Sequence, residues 1–105
     1  MKLADTDTIT NVINDNEYTF IFIQTPLCGT CKVARRMLET IEHLFEDDFF
    51  YDMNASLFPE FMIHNQIRSV PCLLVMRNGK MADSIYAFES VTNIYNYVLK
   101  FFDQK

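Results

Sequence analysis

The spacing of apolar positions changes along the chain, and each change marks a new element. Tyr18 to Gln24 is dominated by consecutive β-favouring apolar residues, Phe20 to Ile23, as suits a central strand buried on both faces. From Thr30 to Phe45 the residues Val33, Ala34, Met37, Leu38, Ile41, Leu44 and Phe45 recur at steps of three and four. That period predicts a helix laying one stripe on a sheet, with Lys32, Arg35, Arg36, Glu39, Glu42, Glu46 and a surface His43 on its other side. Phe49 to Met53 predicts a second strand, reached through the acidic turn Glu46-Asp47-Asp48. Strand, helix and strand in that order make a βαβ unit, with parallel strands and a right-handed crossover.

The flanks are shorter. Asp5 or Thr6 can cap a helix carrying Ile9, Val12 and Ile13, which Asn14-Asp15-Asn16 would end. Asn54 to Asn65 holds Leu57, Phe58, Phe61 and Met62 at mostly helical spacing, with Pro59 admissible only in a first turn and His64 at a solvent-facing end. A strand Leu73 to Met76, the turn Arg77-Asn78-Gly79-Lys80 and a strand from Met81 to about Tyr86 read as a hairpin, because Asn-Gly between apolar runs favours the tight turn that strand twist requires. Ser90 caps a final helix bearing Val91, Ile94, Tyr95, Val98, Leu99 and Phe102, and polar residues end the chain. The sum is an α/β domain over residues 1–105, a central four-stranded mixed sheet with helices on both faces.

Composition narrows the setting. Half of the 105 residues are apolar and only two are Gly and three Pro, so one globular domain with a real core is expected. The N-terminal residues lack the apolar run of a signal peptide, and no segment approaches the roughly 20 apolar residues of a membrane span, which points to a cytoplasmic chain with no membrane partner. A formal charge of −5 opposes binding to nucleic-acid phosphates. Three cysteines in a reducing compartment favour catalytic or sensing thiols over a structural disulfide framework.

The candidate chemistry lies at Gln24-Thr-Pro-Leu-Cys-Gly-Thr-Cys-Lys32, where the first confident strand hands over to the helix. The first turn of a helix has unpaired N–H groups and the positive end of the macrodipole, and both stabilise a thiolate. A cysteine there ionises more readily than a free one, with a pKa in the range of roughly 3.5 to 7.5. Two intervening residues let one thiolate attack a foreign disulfide while the other waits to resolve the intermediate. The bland alternatives are a zinc half-site or two cysteines that merely pack; for zinc, the chain has no second Cys-x-x-Cys and no paired His motif to complete four ligands. Lys32 and its neighbours, near the helix start where the dipole disfavours cations, read either as a solvated face or as charges that lower the pKa of Cys28.

Leu27-Cys28-Gly29-Thr30-Cys31-Lys32 after a buried strand, with Ile67-Arg68-Ser69-Val70-Pro71 before an apolar strand and Asn78-Gly79, resembles thioredoxin, and within it the bacterial thioredoxin-like group with a Cys-Gly-Thr-Cys site. The resemblance runs from about Thr8 to Phe102. It implies a thioredoxin-like fold and a thiol-disulfide oxidoreductase that reduces protein disulfides, with Cys28 as exposed nucleophile and Cys31 as buried resolving thiol. It also implies a cis Val70-Pro71 peptide facing the pair, with Val70 pairing its backbone to an extended substrate segment and Leu27, Gly29 and Thr30 completing the substrate surface. No cofactor beyond the Cys28-Cys31 disulfide, a monomeric state and re-reduction by a flavoprotein thioredoxin reductase follow from the same resemblance.

The departures are informative. The family usually has Trp before the first cysteine and Pro where Thr30 stands, and this chain has Leu27 and no Trp. The buried acid of the family, six residues before the nucleophile, is Phe22 here, and the Lys near that acid on the next strand is matched by Phe50 or a neighbour. A more apolar surround disfavours a charged Cys31, and Thr30 in place of Pro raises the reduction potential, so a slower and more dedicated reductase is expected. Cys72, directly after Pro71, reads either as a small buried hydrophobe or as a third thiol able to accept a disulfide or a small-thiol adduct. Three further functions stay open: a binding or adaptor module using the groove beside Pro71, removal of low-molecular-weight thiols from proteins, and metal or cluster binding through Cys28, Cys31 and a second subunit.

Overall fold

Strand β2 (Tyr18–Gln24) is the axis of the sheet, and its five inner residues, Thr19 to Ile23, are buried as a continuous apolar run demands. The computed structural model describes residues 1–102; the polar end predicted for the chain falls at 103–105, outside the described residues. β2 pairs in parallel with β3 (Phe50–Asn54) and antiparallel with β4 (Cys72–Arg77), which forms a hairpin with β5 (Lys80–Ile85). Among the described residues the sheet has five strands, not four, because β1 (Lys2–Leu3) adds in parallel to the far edge of β3, giving the order β1-β3-β2-β4-β5.

Helices α2 (Gly29–Phe45) and α4 (Val91–Phe102) cover one face, while α1 (Ile9–Asp15) and α3 (Pro59–His64) cover the other. The first face is aromatic. Phe20 meets Phe49, Phe50, Phe101 and Phe102 with ring centroids 5.6–6.1 Å apart, a spacing at which ring edges meet ring faces. The second face is mostly aliphatic, built from Ile9, Ile13, Ile21, Ile23, Met53, Leu74 and Met76.

Several boundaries move for identifiable reasons. α1 begins at Ile9 rather than after an Asp5 or Thr6 cap; the Asp5 carbonyl accepts the N–H groups of Thr8 and Ile9 in a preceding turn, and Thr8 is the N-cap. α2 rests on the sheet through Cys31, Ala34, Leu38 and Ile41, whereas Val33 and Leu44, predicted in the stripe, are exposed. Glu42, predicted on the polar side, is buried because one carboxylate oxygen accepts the N–H groups of Phe49 and Phe50 at 2.9 Å each, and burial pushes its carboxyl up. The single helix expected over 54–65 splits into a 3-10 turn at Ala55–Leu57 and α3, which Pro59 opens at a position where its missing N–H costs nothing. Ser90 Oγ accepts from Asn93 N–H at 3.1 Å, the predicted cap of α4. In the hairpin Asn78 and Gly79 have φ of 50° and 85°, and a Cβ on Gly79 would come 2.7 Å from Asn14 Oδ1, so glycine is required there on both counts.

Candidate active site

β2 delivers the chain to the site and α2 receives it. After Gln24 the chain turns through Thr25-Pro26-Leu27, closed by a 3.2 Å bond from Cys28 N–H to the Thr25 carbonyl. Cys28 is the N-cap of α2: its backbone is extended, and its sulfur accepts the Cys31 N–H at 3.1 Å, as an oxygen would at an ordinary helix start. The Thr30 hydroxyl lies 3.3 Å from the same sulfur. Cys28 and Cys31 are joined in a disulfide with Cα atoms 5.2 Å apart. Cys28 is half-buried and Cys31 is 3% exposed, while Leu27 beside them is 97% exposed. Gly29 opens the helix, with nothing within 4 Å of where a Cβ would stand, so the surface next to Cys28 is left low.

The Val70-Pro71 peptide is cis. The antiparallel register pairs Ile23 with Cys72, which brings Pro71 level with the end of β2, at the same edge of the sheet as the cysteine turn. Val70 is half-buried and packs on the cluster that holds Cys31. The chain thus gathers Leu27, Cys28, Gly29, Thr30, Cys31, Lys32, Val70 and Pro71 at one end of the sheet. Cys72 is not among them. Its side chain enters the other face, wholly buried beside Ile23, Met53 and Leu74, where burial pushes its thiol up to about 11 against a hydrogen bond with the Tyr86 side chain. There it packs as a small hydrophobe, across the sheet from Cys31.

A cavity of about 210 Å³ opens beside the disulfide, lined by Phe22, Gln24, Thr25, Pro26, Cys28, Cys31, Lys32 and Arg35. Phe22 is wholly buried at its floor. The residue across from it on β3 is Asp52, not Phe50, which pairs with Phe20. Asp52 accepts from Gln24 Nε2 at 2.9 Å through one oxygen and from Arg35 Nη2 through the other, while the Arg35 guanidinium carbon lies 5.7 Å from the centre of the Phe22 ring. The more apolar surround expected for Cys31 is therefore found on β2, at Phe22, and not on the α2 side of the cavity, where Lys32 and Arg35 lie. Sequence reasoning placed Arg35 on the solvent side and passed over Asp52. The available signals were a lone acid inside the otherwise apolar strand Phe50-Tyr51-Asp52-Met53, and an arginine four residues after Cys31, on the same helix face.

Among the described residues, no group of three or more His, Cys, Asp or Glu side chains is arranged to hold a metal ion, and no helix is long and apolar enough to cross a membrane.

Residues 1–100 match the family model described as thioredoxin. The chain is 40% identical over 86 residues to the thioredoxin-like protein YusE of Bacillus subtilis, covering 82% of this chain and 80% of that one. Among solved structures it resembles oxidised thioredoxin from Plasmodium falciparum, with a TM-score of 0.80, 19% identity and coverage of 96% of this chain and 97% of that one. It also resembles a mutant thioredoxin from Halobacterium salinarum, with a TM-score of 0.82, 12% identity and coverage of 100% and 92%.

Proposed function

The chain belongs to the thioredoxin family and is a thiol-disulfide oxidoreductase of disulfide-bearing proteins, and we propose that Cys28 and Cys31 carry its reaction in a Cys-Gly-Thr-Cys site of the bacterial thioredoxin-like kind. The observation that carries this reading is the disulfide at the first turn of α2, with one sulfur reachable and the other shielded. In the reduced protein the Cys28 thiolate attacks one sulfur of a substrate disulfide. A Cys28–substrate bond forms, and the other substrate sulfur leaves as a thiolate that takes up a proton. Cys31 attacks Cys28 Sγ as a thiolate; the Cys28–Cys31 bond forms, the second substrate thiolate departs, and the proton given up by Cys31 balances the one that thiolate takes up. Two electrons pass from the dithiol to the substrate, and the two protons released by the cysteines balance the two gained.

The positive end of α2 supports the negative charge on Cys28, and Thr30 supplies a hydroxyl to the same sulfur. Exposed Leu27, low Gly29 and the Val70 backbone form the surface for an extended substrate segment, which would add to the sheet end as a short strand. Lys32, on the cavity rim, contributes charge. On this reading the protein works as a cytoplasmic monomer, needs no cofactor beyond its own disulfide, and is re-reduced by a flavoprotein thioredoxin reductase; sedimentation and an NADPH-coupled reductase assay test those points.

The deciding experiment is a redox titration in defined thiol buffers, read by alkylation mass shift, on wild type and Cys28→Ser. A reversible two-electron step between roughly −200 and −300 mV, lost in the variant, is expected. A wild type without that step, or a step that survives the substitution, overturns the assignment.

A further inference from the structure

Arg35 sits where a long cation has a choice. Its helix neighbour Arg36 is exposed, whereas Arg35 is drawn in over the Phe22 ring and bonded to Asp52, with Nη1 also 3.6 Å from Met1 Sδ. Taking a guanidinium partly out of water is unfavourable unless something fixes it, and Asp52, itself tied to Gln24, does so. The arrangement is polarised. Arg35 lines the cavity that holds both cysteines, together with the Phe22 ring its guanidinium covers, whereas Asp52 is not among the lining residues, so the cation is the member of the pair that borders the disulfide's cavity. Cys31 and Arg35 are four residues apart on α2, which puts their Cβ atoms roughly 5–6 Å apart on one face.

Resting on the assignment of Cys28 and Cys31 made above, we propose that Arg35 is a positioning residue for the exchange reaction, holding a permanent positive charge toward the Cys31 sulfur and stabilising its thiolate. Cys31 must carry that charge to attack Cys28 Sγ in the mixed disulfide, and Cys31 itself is nearly sealed from water. A nearby opposite charge favours the ionised thiol, and a guanidinium keeps its charge over the working pH range. Among the described residues the charged groups lining the cavity are Lys32 and Arg35 from α2, with Asp52 from β3 bonded to Arg35; β2 and the 25–27 turn contribute Phe22, Gln24, Thr25 and Pro26, none of them charged. Where the family resemblance places an acid at Phe22, this chain puts a cation over the ring. The consequence is a reduced form stabilised by charge, and hence a couple shifted toward the oxidising side.

The test titrates Cys31 thiolate absorbance in a Cys28→Ser background, alone and combined with Arg35→Gln, Arg35→Lys or Asp52→Asn. Every variant also carries Cys72→Ala, so that Cys31 is the thiol titrated. Arg35→Gln is expected to raise the Cys31 pKa by about one pH unit, a tenfold loss of thiolate below it. Arg35→Lys should restore most of that loss. Asp52→Asn, which removes the balancing charge and keeps the hydrogen-bonding shape, should move the pKa down. Shifts of opposite sign from the two ends of one ion pair are what a charge effect produces and a packing defect does not. With both cysteines present, Arg35→Gln should move the equilibrium with glutathione about threefold toward the disulfide, about 14 mV for a two-electron couple. An unmoved pKa in Arg35→Gln, no recovery in Arg35→Lys, or an unchanged or raised pKa in Asp52→Asn overturns the proposal. If Arg35→Gln does not fold, Asp52→Asn decides alone. A wild type with no two-electron step would instead remove the underlying assignment, and the two failures are read from different proteins.

Discussion

Cys31 and Cys72 are shielded to nearly the same degree, 3% and 0% exposed, on opposite faces of one sheet. Cys31 lies in the first turn of α2, its N–H bonded to a neighbouring sulfur, with a cavity and two cations beside it. Cys72 opens a β-strand among aliphatic side chains, with a tyrosine side chain as its polar neighbour, and its thiol is pushed up to about 11. Burial alone therefore says little about a thiol. The orientation of nearby backbone dipoles and the sign of the nearest fixed charge decide whether a shielded sulfur is prepared to ionise or kept neutral.

The strongest way to break this contrast is to give the Cys31 face the wrong charge. Phe22→Asp deletes a wholly buried ring and sets a second carboxylate directly across from Asp52, with Arg35 left to serve both. Losing the ring alone costs about 3–5 kcal/mol, and a buried like-charge pair adds to it. Urea unfolding should show a loss of at least about 3 kcal/mol. A loss below about 1 kcal/mol would mean that this face accommodates an acid as readily as an aromatic ring, and the difference between the faces would lose its basis.

A smaller effect sharpens the Cys72 side. A thiol raised from about 9 to about 11 prefers the protonated form when folded, so its stabilising contribution is complete below about pH 9 and is lost as pH rises through 11. The span corresponds to a loss on the order of 3 kcal/mol. Tyr97, also raised by burial, acts in the same direction at higher pH. The difference between wild type and Cys72→Ala in unfolding free energy, followed from pH 7 to 11, isolates the cysteine's share. Parallel curves would show that Cys72 is less insulated than its packing implies.

How much of this was legible in the sequence follows the range of the interactions. β2 was readable to the residue because four consecutive apolar residues have one simple explanation, and the β4–β5 turn because Asn78-Gly79 encodes its own backbone angles. β1 was not, since two residues carry no period and its partner strand lies far along the chain, with Lys2 opposite Tyr51 and Leu3 opposite Asp52. Glu42 looked like an outward acid until the start of β3 offered it two N–H groups. The cysteine pair was legible from local spacing, but the Arg35–Asp52 pair depends on the β2–β3 register and on the way α2 is rolled on the sheet, neither of which spacing specifies.

The smallest expected effect is the most direct check on the two-face picture. Cys72→Ser keeps the size of the side chain and replaces the thiol with a hydroxyl that can still bond to Tyr86. If the sheet separates the two thiols, the midpoint of the Cys28–Cys31 couple should move by less than about 10 mV, a change of roughly twofold in the exchange constant. The masses of the alkylated and glutathione-treated forms should differ from wild type by the substitution alone. A larger shift, or a wild-type adduct on Cys72 that disappears in the variant, would mean that the chain opens between β4 and α3 during turnover and lets the third sulfur reach reactive thiols. The sheet would then be a gate between the two faces, and the neutrality of Cys72 a property of the resting state.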